Sequence, residues 1–495
     1  MPGESGKRTR ATRGAAENKD DDGNKKKSKV MMNANVGGVV DEDEQAAALH
    51  SSDPMVALKA RVENLHEKSQ AYYASRDCAL PQYVHRQMPL LGMSSDHVKE
   101  RILQMHELDN RPRLNTSSYV NVVREPAEED VALMGLSTNL ADASVYPASV
   151  RLHDTVVNMI AKLWHVPEPE EDGNYSGAGT VGSTEACLLA GLALKFRWRT
   201  WYKASKYGKD LPNAHAVIGV VPNLVISTCY QAAWEKFFRY FDVEPRFIKP
   251  TLEDKMRINP KDIEALCDEK TIGVVGILGN HYNGAYDAIW DMNDVVTEVN
   301  KKHGYQIGIH VDAASGGFIA PFQDGMPPFD FRLSNVLSIS ASGHKFGESC
   351  CGTGWLVFRH RRDLAEHIAV SVSYLGGKSD SMTLNFSRPA TAVYVQLFKF
   401  LRLGQEGYKQ KVTQQMAVAK YLRDALKEAK HNGKPRFEIL DCGDEFCLPV
   451  VAARLNPKLG LRYNDIDLQH ALSEHHWYVL CISSPLGGSA FFFTF

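Results

Sequence analysis

Three short stretches of this 495-residue chain carry side chains able to do chemistry. In "SGHKFG" Ser342, His344 and Lys345 follow the apolar run "NVLSIS". In "HVDAASGGF" Asp312 and Ala314 close the run "IGIHV", and in "GTVGSTEA" Gly182, Ser183 and Thr184 precede a long helical pattern. Taken singly, each has an ordinary reading. Most lysines are solvated, Gly-Ser-Thr ahead of a helix is more often a plain N-cap, and an aspartate at a strand end can hold magnesium, orient a histidine or pair with a protonated ring nitrogen. The Gly-Ser-Thr turn also departs from the Gly-x-x-x-x-Gly-Lys-Ser/Thr loop of nucleotide binders. It does supply first-turn N–H groups and hydroxyls suited to a phosphate. Lys345 becomes a Schiff-base amine if burial and neighbouring positive charge lower its pKa from about 10.4. An anion anchor, an acid and an imine-forming amine are together the set that pyridoxal phosphate requires.

The elements around these stretches explain how they could meet. Short β-branched runs ("HAVIGVV", "TIGVVGIL", "QIGIHVD", "NVLSIS", "TGWLVF") alternate with helical segments such as "TEACLLAGLALKFRWRTWY" and "MNDVVTEVNKK". That alternation predicts an α/β fold with a mostly parallel sheet covered by helices, whose ligands gather at the carboxyl ends of strands. After about residue 415 the pattern changes to helix "QQMAVAKYLRDALKEA", strands "RFEIL" and "PVVAARL", helix "IDLQHALSEHHW" and strand "YVLCIS", which reads as a smaller C-terminal α/β domain. The expected organisation is a disordered tail over 1–54, a helical segment over 55–113, a large cofactor domain over 114–415 and a small domain over 416–495. Within the helical segment, "PMVALKARVENLHEKSQAYY" and "DHVKERILQMHEL" show apolar positions three and four apart.

Composition excludes several classes. The 57 basic residues are balanced by 59 acidic ones, so no electrostatic footprint for nucleic acid exists. Nine cysteines occur without Cys-x-x-Cys pairs or histidines at zinc spacing, so no metal site is expected and reduced thiols are the default. No apolar run of bilayer length and no secretory leader is evident, and a cytoplasmic protein without membrane partners is expected. The charge blocks of residues 1–50 ("KKKSK" among them) lack the apolar content to fold.

The stretches "HVDAASGGFIAPF", "DFRL", "SISASGHKFG", "YLGG", "LNFSRP" and "LRLGQEGY" resemble glutamate decarboxylase of the bacterial and plant type, over roughly Leu108 to Gly488. The resemblance implies the aspartate-aminotransferase-like fold of pyridoxal-phosphate enzymes, decarboxylation of L-glutamate to 4-aminobutyrate, and a homodimer or larger homo-oligomer with shared active sites. It implies that Lys345 carries the cofactor, that Asp312 partners its ring nitrogen, and that Ala314 and Gln231 lie against the ring. Gln231 favours the glutamate branch, because decarboxylases of aromatic amino acids and histidine place a histidine there. Ser183, Thr184, Ser342 and His344 match phosphate contacts, and Ser387 matches one donated across the dimer. The side-chain carboxylate pocket is implied at Ser118, Tyr119, Asn139 and Asp142; Lys345, His344 and Tyr374 are the implied proton carriers at Cα. Two like charges would crowd if Asp142 sits beside the substrate's distal carboxylate, so turnover is expected to improve below neutral pH.

Two departures from that family stand out. Where the family usually has a threonine near the cofactor's phenolic oxygen, "GNHYNG" has His281, whose imidazole can still donate a hydrogen bond. Beyond "LGG" the family continues through a strand bearing an arginine for the substrate's α-carboxylate, whereas no Lys or Arg follows Arg462 here. A truncated small domain, an unpaired sheet edge and an exposed "FFF" are therefore expected. Calmodulin control through a C-terminal extension, as in plant relatives, is not expected. The alternatives carried forward are a catalytically impaired isoform that binds cofactor or pairs with intact subunits, and a decarboxylase of another acidic amino acid.

Overall fold

The computed structural model describes residues 52–61, 88, 92–116, 120, 123–170, 173–208, 219–364, 370–372, 379–483 and 489–494. The chain forms two compact units, 1–108 and 109–495. In the first, residues 54–61 are helical, and helix α1 (Ser95–His106) starts where the Ser94 hydroxyl accepts from the His97 N–H. The remainder of the expected first helix, and residues 1–51 of the tail, lie outside the described residues.

The second unit is built on a seven-stranded sheet in the order β1-β7-β6-β5-β4-β2-β3. Its strands are β1 (Gly177–Val181), β2 (Asn223–Ser227), β3 (Glu244–Ile248), β4 (Thr271–Ile277), β5 (Gly308–Asp312), β6 (Val336–Ala341) and β7 (Thr353–Phe358). Strands β3, β2, β4, β5 and β6 pair in parallel, and β7 runs antiparallel to both β6 and β1. Helices cover both faces, which is why β4, β5 and β6 are buried along their whole length and read as unbroken apolar runs. One expected strand is displaced. Of "HAVIGVV", residues 219–221 are not strand, and β2 begins only after Pro222, which has no N–H to donate to a ladder.

Among the covering helices, α2 (Pro126–Leu136) and α3 (Pro147–Leu163) precede the sheet, and α4 (Gly182–Ala204) follows β1 directly. Gly191 of α4 lets the Phe237 ring of α5 (Ala232–Phe241) approach so closely that a Cβ there would stand 2.4 Å from it. Helix α6 (Ile289–His303) buries Ile289, Met292, Val296 and Val299, the helical spacing that its sequence announces. Helix α7 (Thr391–Glu428) is interrupted at Gly404, whose φ of 61° and ψ of −179° are not helical. Before the break Lys399 pairs with Glu128 of α2 at 2.7 Å, both side chains buried; after it Arg423 pairs with buried Asp441 at 2.7 Å. Strands β8 (Val370–Val372) and β9 (Ser379–Ser381) pair with each other, as do β10 (Lys430–His431) and β11 (Lys434–Pro435).

The last sheet is antiparallel, in the order β12-β13-β15-β14, with β12 (Phe437–Ile439), β13 (Val450–Leu455), β14 (Leu480–Ser483) and β15 (Ser489–Thr494). Helix α8 (Asp465–Glu474) packs on it, and its Asp465 accepts from the Leu455 N–H at 2.8 Å. Here the expectation of a missing strand and an exposed "FFF" fails. Residues 489–494 are an inner strand, paired on one side with β13 and on the other with β14. Phe491 is only 1% exposed and packs with Leu455 and Val479. The pairing rescues a segment that in isolation would be an aggregation hazard.

Candidate active site

At the carboxyl end of β5, Asp312 is 5% exposed and its two oxygens are both engaged. The Ala314 N–H donates to Oδ1 at 3.2 Å and the Trp234 indole N–H to Oδ2 at 2.8 Å. The loop after β6 is tied to the same strand end. The Ser342 N–H donates to the Ala314 carbonyl at 3.1 Å, and the Lys345 N–H to the Ser342 carbonyl at 3.2 Å. Lys345 Nζ donates to Ser315 Oγ at 3.0 Å. Burial drives the ammonium's pKa below its ordinary value, against the pull of the Asp312 charge. A lysine so placed spends more of its time as the neutral, nucleophilic amine.

Glycine makes this loop possible. A Cβ on Gly343 would stand 2.3 Å from Gln396 Oε1 and 2.8 Å from Trp355 Nε1. Gln396 and Tyr408 of α7 both donate to the Gly347 carbonyl at 2.8 Å, which pins the loop from behind. His344 is fixed as well: its Nδ1 lies 2.8 Å from the Thr353 carbonyl, which can only accept, so Nδ1 carries the proton and Nε2 is left as the acceptor of the neutral ring. Burial lowers the His344 pKa.

The third stretch begins α4. Gly182 has φ +68°, and its N–H donates to the Gly352 carbonyl at 2.7 Å, while the Val181 N–H is taken by Glu185 at 2.6 Å. Ser183 and Thr184 then open the helix, where first-turn N–H groups have no intrahelical acceptor. Ser342 Oγ is fully buried and has no hydrogen-bond partner among the described residues. A buried, unsatisfied hydroxyl next to a half-buried lysine and a buried aspartate fits a cofactor that brings its own acceptors.

His281 sits in the turn after β4, its ring 4.1 Å from that of Tyr282. Burial first and the Lys345 charge second push its pKa down to about 4, with Asp312 opposing, so the imidazole is neutral and within electrostatic reach of both groups. The structure thus brings together Asp312, Ala314, Ser342, Lys345 and His281. Gln231 is the N-cap of α5: its side chain accepts from the Ala233 N–H at 3.1 Å, and it is exposed.

The remaining residues form a second group. Asn139 Nδ2 donates to Ser387 Oγ at 3.3 Å, and Asn139 Oδ1 accepts from the Arg388 N–H at 3.2 Å, so the two loops are joined within one chain. Asp142 lies in the same turn and accepts from Ser144 Oγ at 3.1 Å. Among the described residues, the hydrogen bonds of Asn139, Asp142 and Ser387 link these loops to each other, and none of them reaches Lys345 or Asp312. Ser118, Tyr119 and Tyr374 lie outside the described residues. Sequence reasoning missed Trp234, Cys187, Ser315, Gln396 and Tyr408. Trp234, Cys187, Gln396 and Tyr408 reach the site by folding from distant segments, whereas Ser315 lies within "HVDAASGGF" itself; only the tight spacing of glycines in "SGHKFG" hinted that the loop needed backing.

Comparison with known proteins agrees with this geometry. The profile of the pyridoxal-dependent decarboxylase conserved domain matches residues 130–456. Glutamate decarboxylase beta of Listeria innocua is 37% identical over 413 residues, 83% of this chain and 84% of that protein. Glutamate decarboxylase of Petunia hybrida is 37% identical over 409 residues, 81% of this chain and 77% of that protein. The solved glutamate decarboxylase of Lactobacillus brevis superposes with a TM-score of 0.76 at 32% identity, covering 83% of this chain and 90% of that one. With its lysine, aspartate and unsatisfied serine gathered at the strand ends of a mostly parallel sheet, the chain belongs to the pyridoxal-dependent decarboxylase family, and pyridoxal phosphate is its cofactor.

Proposed function

We propose that the chain decarboxylates L-glutamate at Cα, giving 4-aminobutyrate and CO₂, as a cytoplasmic homodimer or larger homo-oligomer. One observation carries the reaction type: a half-buried Lys345 lies within electrostatic reach of Asp312, next to a serine hydroxyl left unsatisfied. The reading of the substrate is supported by the relatives named above and by Gln231, which the family resemblance assigns to the glutamate branch.

When bound, pyridoxal phosphate supplies the electron sink that loss of CO₂ from an amino acid requires. Lys345 is the amine that would hold the cofactor, and burial favours its neutral, nucleophilic form. Asp312 holds a proton at the ring nitrogen. Ser183, Thr184 and Ser342 would receive the phosphate, His344 would join them only with Nε2 protonated as well, since its Nδ1 proton is given to the Thr353 carbonyl, His281 would meet the phenolic oxygen, and Ala314 and Gln231 would contact the ring. Asn139, Asp142, Ser118 and Tyr119 orient the substrate's distal carboxylate. Lys345, His344 or Tyr374 returns a proton to Cα. Ser387 is donated across a dimer, and because Asn139 is hydrogen-bonded to it, the protomer that supplies one supplies both. Domains over 114–415 and 416–495 carry the cofactor site and the small sheet respectively.

One observation favours a second reading, a chain that binds cofactor but turns over little substrate. Strand β15 reads Ser489, Ala490, Phe491, Phe492, Phe493, Thr494 and offers no cation for an α-carboxylate. The test is CO₂ release by purified protein with added cofactor, from glutamate, aspartate and cysteine sulfinate in turn. Release from glutamate above the other two is expected. Visible absorbance of lysine-bound cofactor without CO₂ from any of the three would overturn the proposed activity in favour of the second reading.

A further inference from the structure

Asp312 does not stand alone on its strand. The Trp234 indole N–H donates to it at 2.8 Å from α5, and the buried Cys187 thiol of α4 lies within electrostatic reach of it. Behind the thiol lies a buried polar chain: Cys187 Sγ is 3.6 Å from Ser340 Oγ, Ser340 Oγ is 3.1 Å from His310 Nε2, and His310 Nδ1 is 2.8 Å from Ser338 Oγ. The His310 ring lies 5.5 Å from the Trp234 ring. Trp234, His310 and Ser340 are each 0% exposed, Cys187 and Ser338 1%. No part of the chemistry described above uses any of the five.

Such an arrangement has a cost and therefore a reason. Burying a serine pair, an imidazole and a thiol is unfavourable unless each is hydrogen-bonded, and a purely structural core would place apolar side chains there. Every other group near Asp312 is also identifiable: Lys345 after β6, His281 after β4, and His310 one strand position away on its own face. Burial holds the Cys187 thiol protonated, so it acts as a donor. Burial likewise holds His310 neutral, its pKa lowered to about 4, so the histidine adds no charge that would compete for the carboxylate.

We propose that Trp234 and Cys187 are positioning residues of the decarboxylase: the indole N–H, with the Cys187 thiol and the Ser340, His310 and Ser338 chain packed behind the same strand end, locks the Asp312 carboxylate in the orientation that meets the cofactor's ring nitrogen. The proposal rests on the assignment of Asp312 to that nitrogen. With both oxygens already engaged from the protein side, the carboxylate has no second orientation to relax into, and the lone pairs left over are the ones presented to the cofactor. The carboxylate is thereby prepared before cofactor arrives, without reorganisation on binding.

The experiment compares Trp234→Phe, Cys187→Ala, Cys187→Ser and Asp312→Asn with the wild type. Cofactor affinity is read by titrating apoprotein while following visible absorbance, the pH titration of that absorbance is recorded for each holoenzyme, and kcat and KM for glutamate are measured separately. Loss of the indole donor is expected to weaken cofactor binding about tenfold in Trp234→Phe, and loss of the thiol from the chain behind it several-fold in Cys187→Ala, with kcat reduced in proportion and KM within about twofold. The absorbance titration should shift in both, and Cys187→Ser, which keeps a donor, should restore it. If Trp234→Phe does not fold, the Cys187 pair decides. Wild-type affinity and titration in both Trp234→Phe and Cys187→Ala, or no recovery in Cys187→Ser relative to Cys187→Ala, would overturn the proposal. An unchanged spectrum and affinity in Asp312→Asn would instead remove the underlying assignment of Asp312, so the two failures are separable.

Discussion

A primary amine attacks an aldehyde only when it is unprotonated, and burial of Lys345 moves it toward that form. Lys345→Ala should therefore abolish both the visible absorbance of lysine-bound cofactor and CO₂ release, while leaving the fold intact by circular dichroism. Persistence of the absorbance would refute the lysine's role. Two histidines give a pH signature of stability. His281 and His310 both stand at about 4 in the folded chain against an ordinary 6.5. The unfolded chain thus binds protons first as pH falls, so their contribution is whole above the ordinary value and is lost as pH drops toward about 4. Asp287, raised by burial to about 6, works oppositely: its contribution is present at low pH and lost as pH rises through about 6. The difference between wild-type apoprotein and His310→Asn isolates the histidine, and the variant's Tm should fall less steeply between pH 6.5 and 4. At this scale the sequence disclosed Lys345, Asp312 and the Gly-Ser-Thr turn because each follows or precedes a strand. Trp234 and Cys187 stayed hidden because an indole and a thiol inside apolar helical runs read as core until the strands are assembled around them.

Elements hold those residues through backbone crowding and one buried charge pair. Gly354 of β7 faces the start of α4 so closely that a Cβ would lie 2.3 Å from both the carbonyl carbon and oxygen of Gly182. Gly354→Ala must displace the anion cradle, at a cost of about 1–3 kcal/mol. Phosphate-dependent cofactor affinity should fall with it; equal affinity for the cofactor in variant and wild type would argue against the cradle. The Lys399–Glu128 pair joins α7 to α2 with both side chains almost wholly buried. Lys399→Met alone strands a carboxylate and is expected to cost about 3–5 kcal/mol in denaturant unfolding, whereas Lys399→Met combined with Glu128→Leu should recover most of that loss. Neither glycine crowding nor this pair was readable beforehand, since both depend on segments far apart in the chain. Strands β4 to β7 and β12 to β14 and helices α4, α6 and α8 were readable; β2 was placed too early, ahead of Pro222, and β1, β3 and β15 carry glycine, proline or unbroken phenylalanine in place of a clear alternation.

In the whole molecule, the joined loops of Asn139 and Ser387 invite a complementation test of shared sites. Mixed oligomers of a Lys345→Ala chain and an Asn139→Ala/Ser387→Ala chain should regain up to about a quarter of wild-type activity if the loops act across a two-fold interface. Mixtures as inactive as the separate variants would show the loops serving their own protomer. The small sheet makes a further prediction: Phe491→Ala, at an inner strand, should cost about 3–5 kcal/mol and expose the strand partners to association, measurable as aggregation on mild heating. Here the sequence misled, because a run of phenylalanines looks like a loose end until its two neighbours, β13 and β14, are seen to flank it. Gly404 has the longest reach of any single position. Its backbone conformation is open in practice to glycine alone, and the helix arms on either side are anchored separately, one to α2 through Lys399 and the other to Asp441, beyond β12, through Arg423. Replacing that glycine with any larger residue would straighten the elbow and swing the four-stranded lobe away from the bay where Lys345 waits, a long-distance change made without touching one atom of the chemistry.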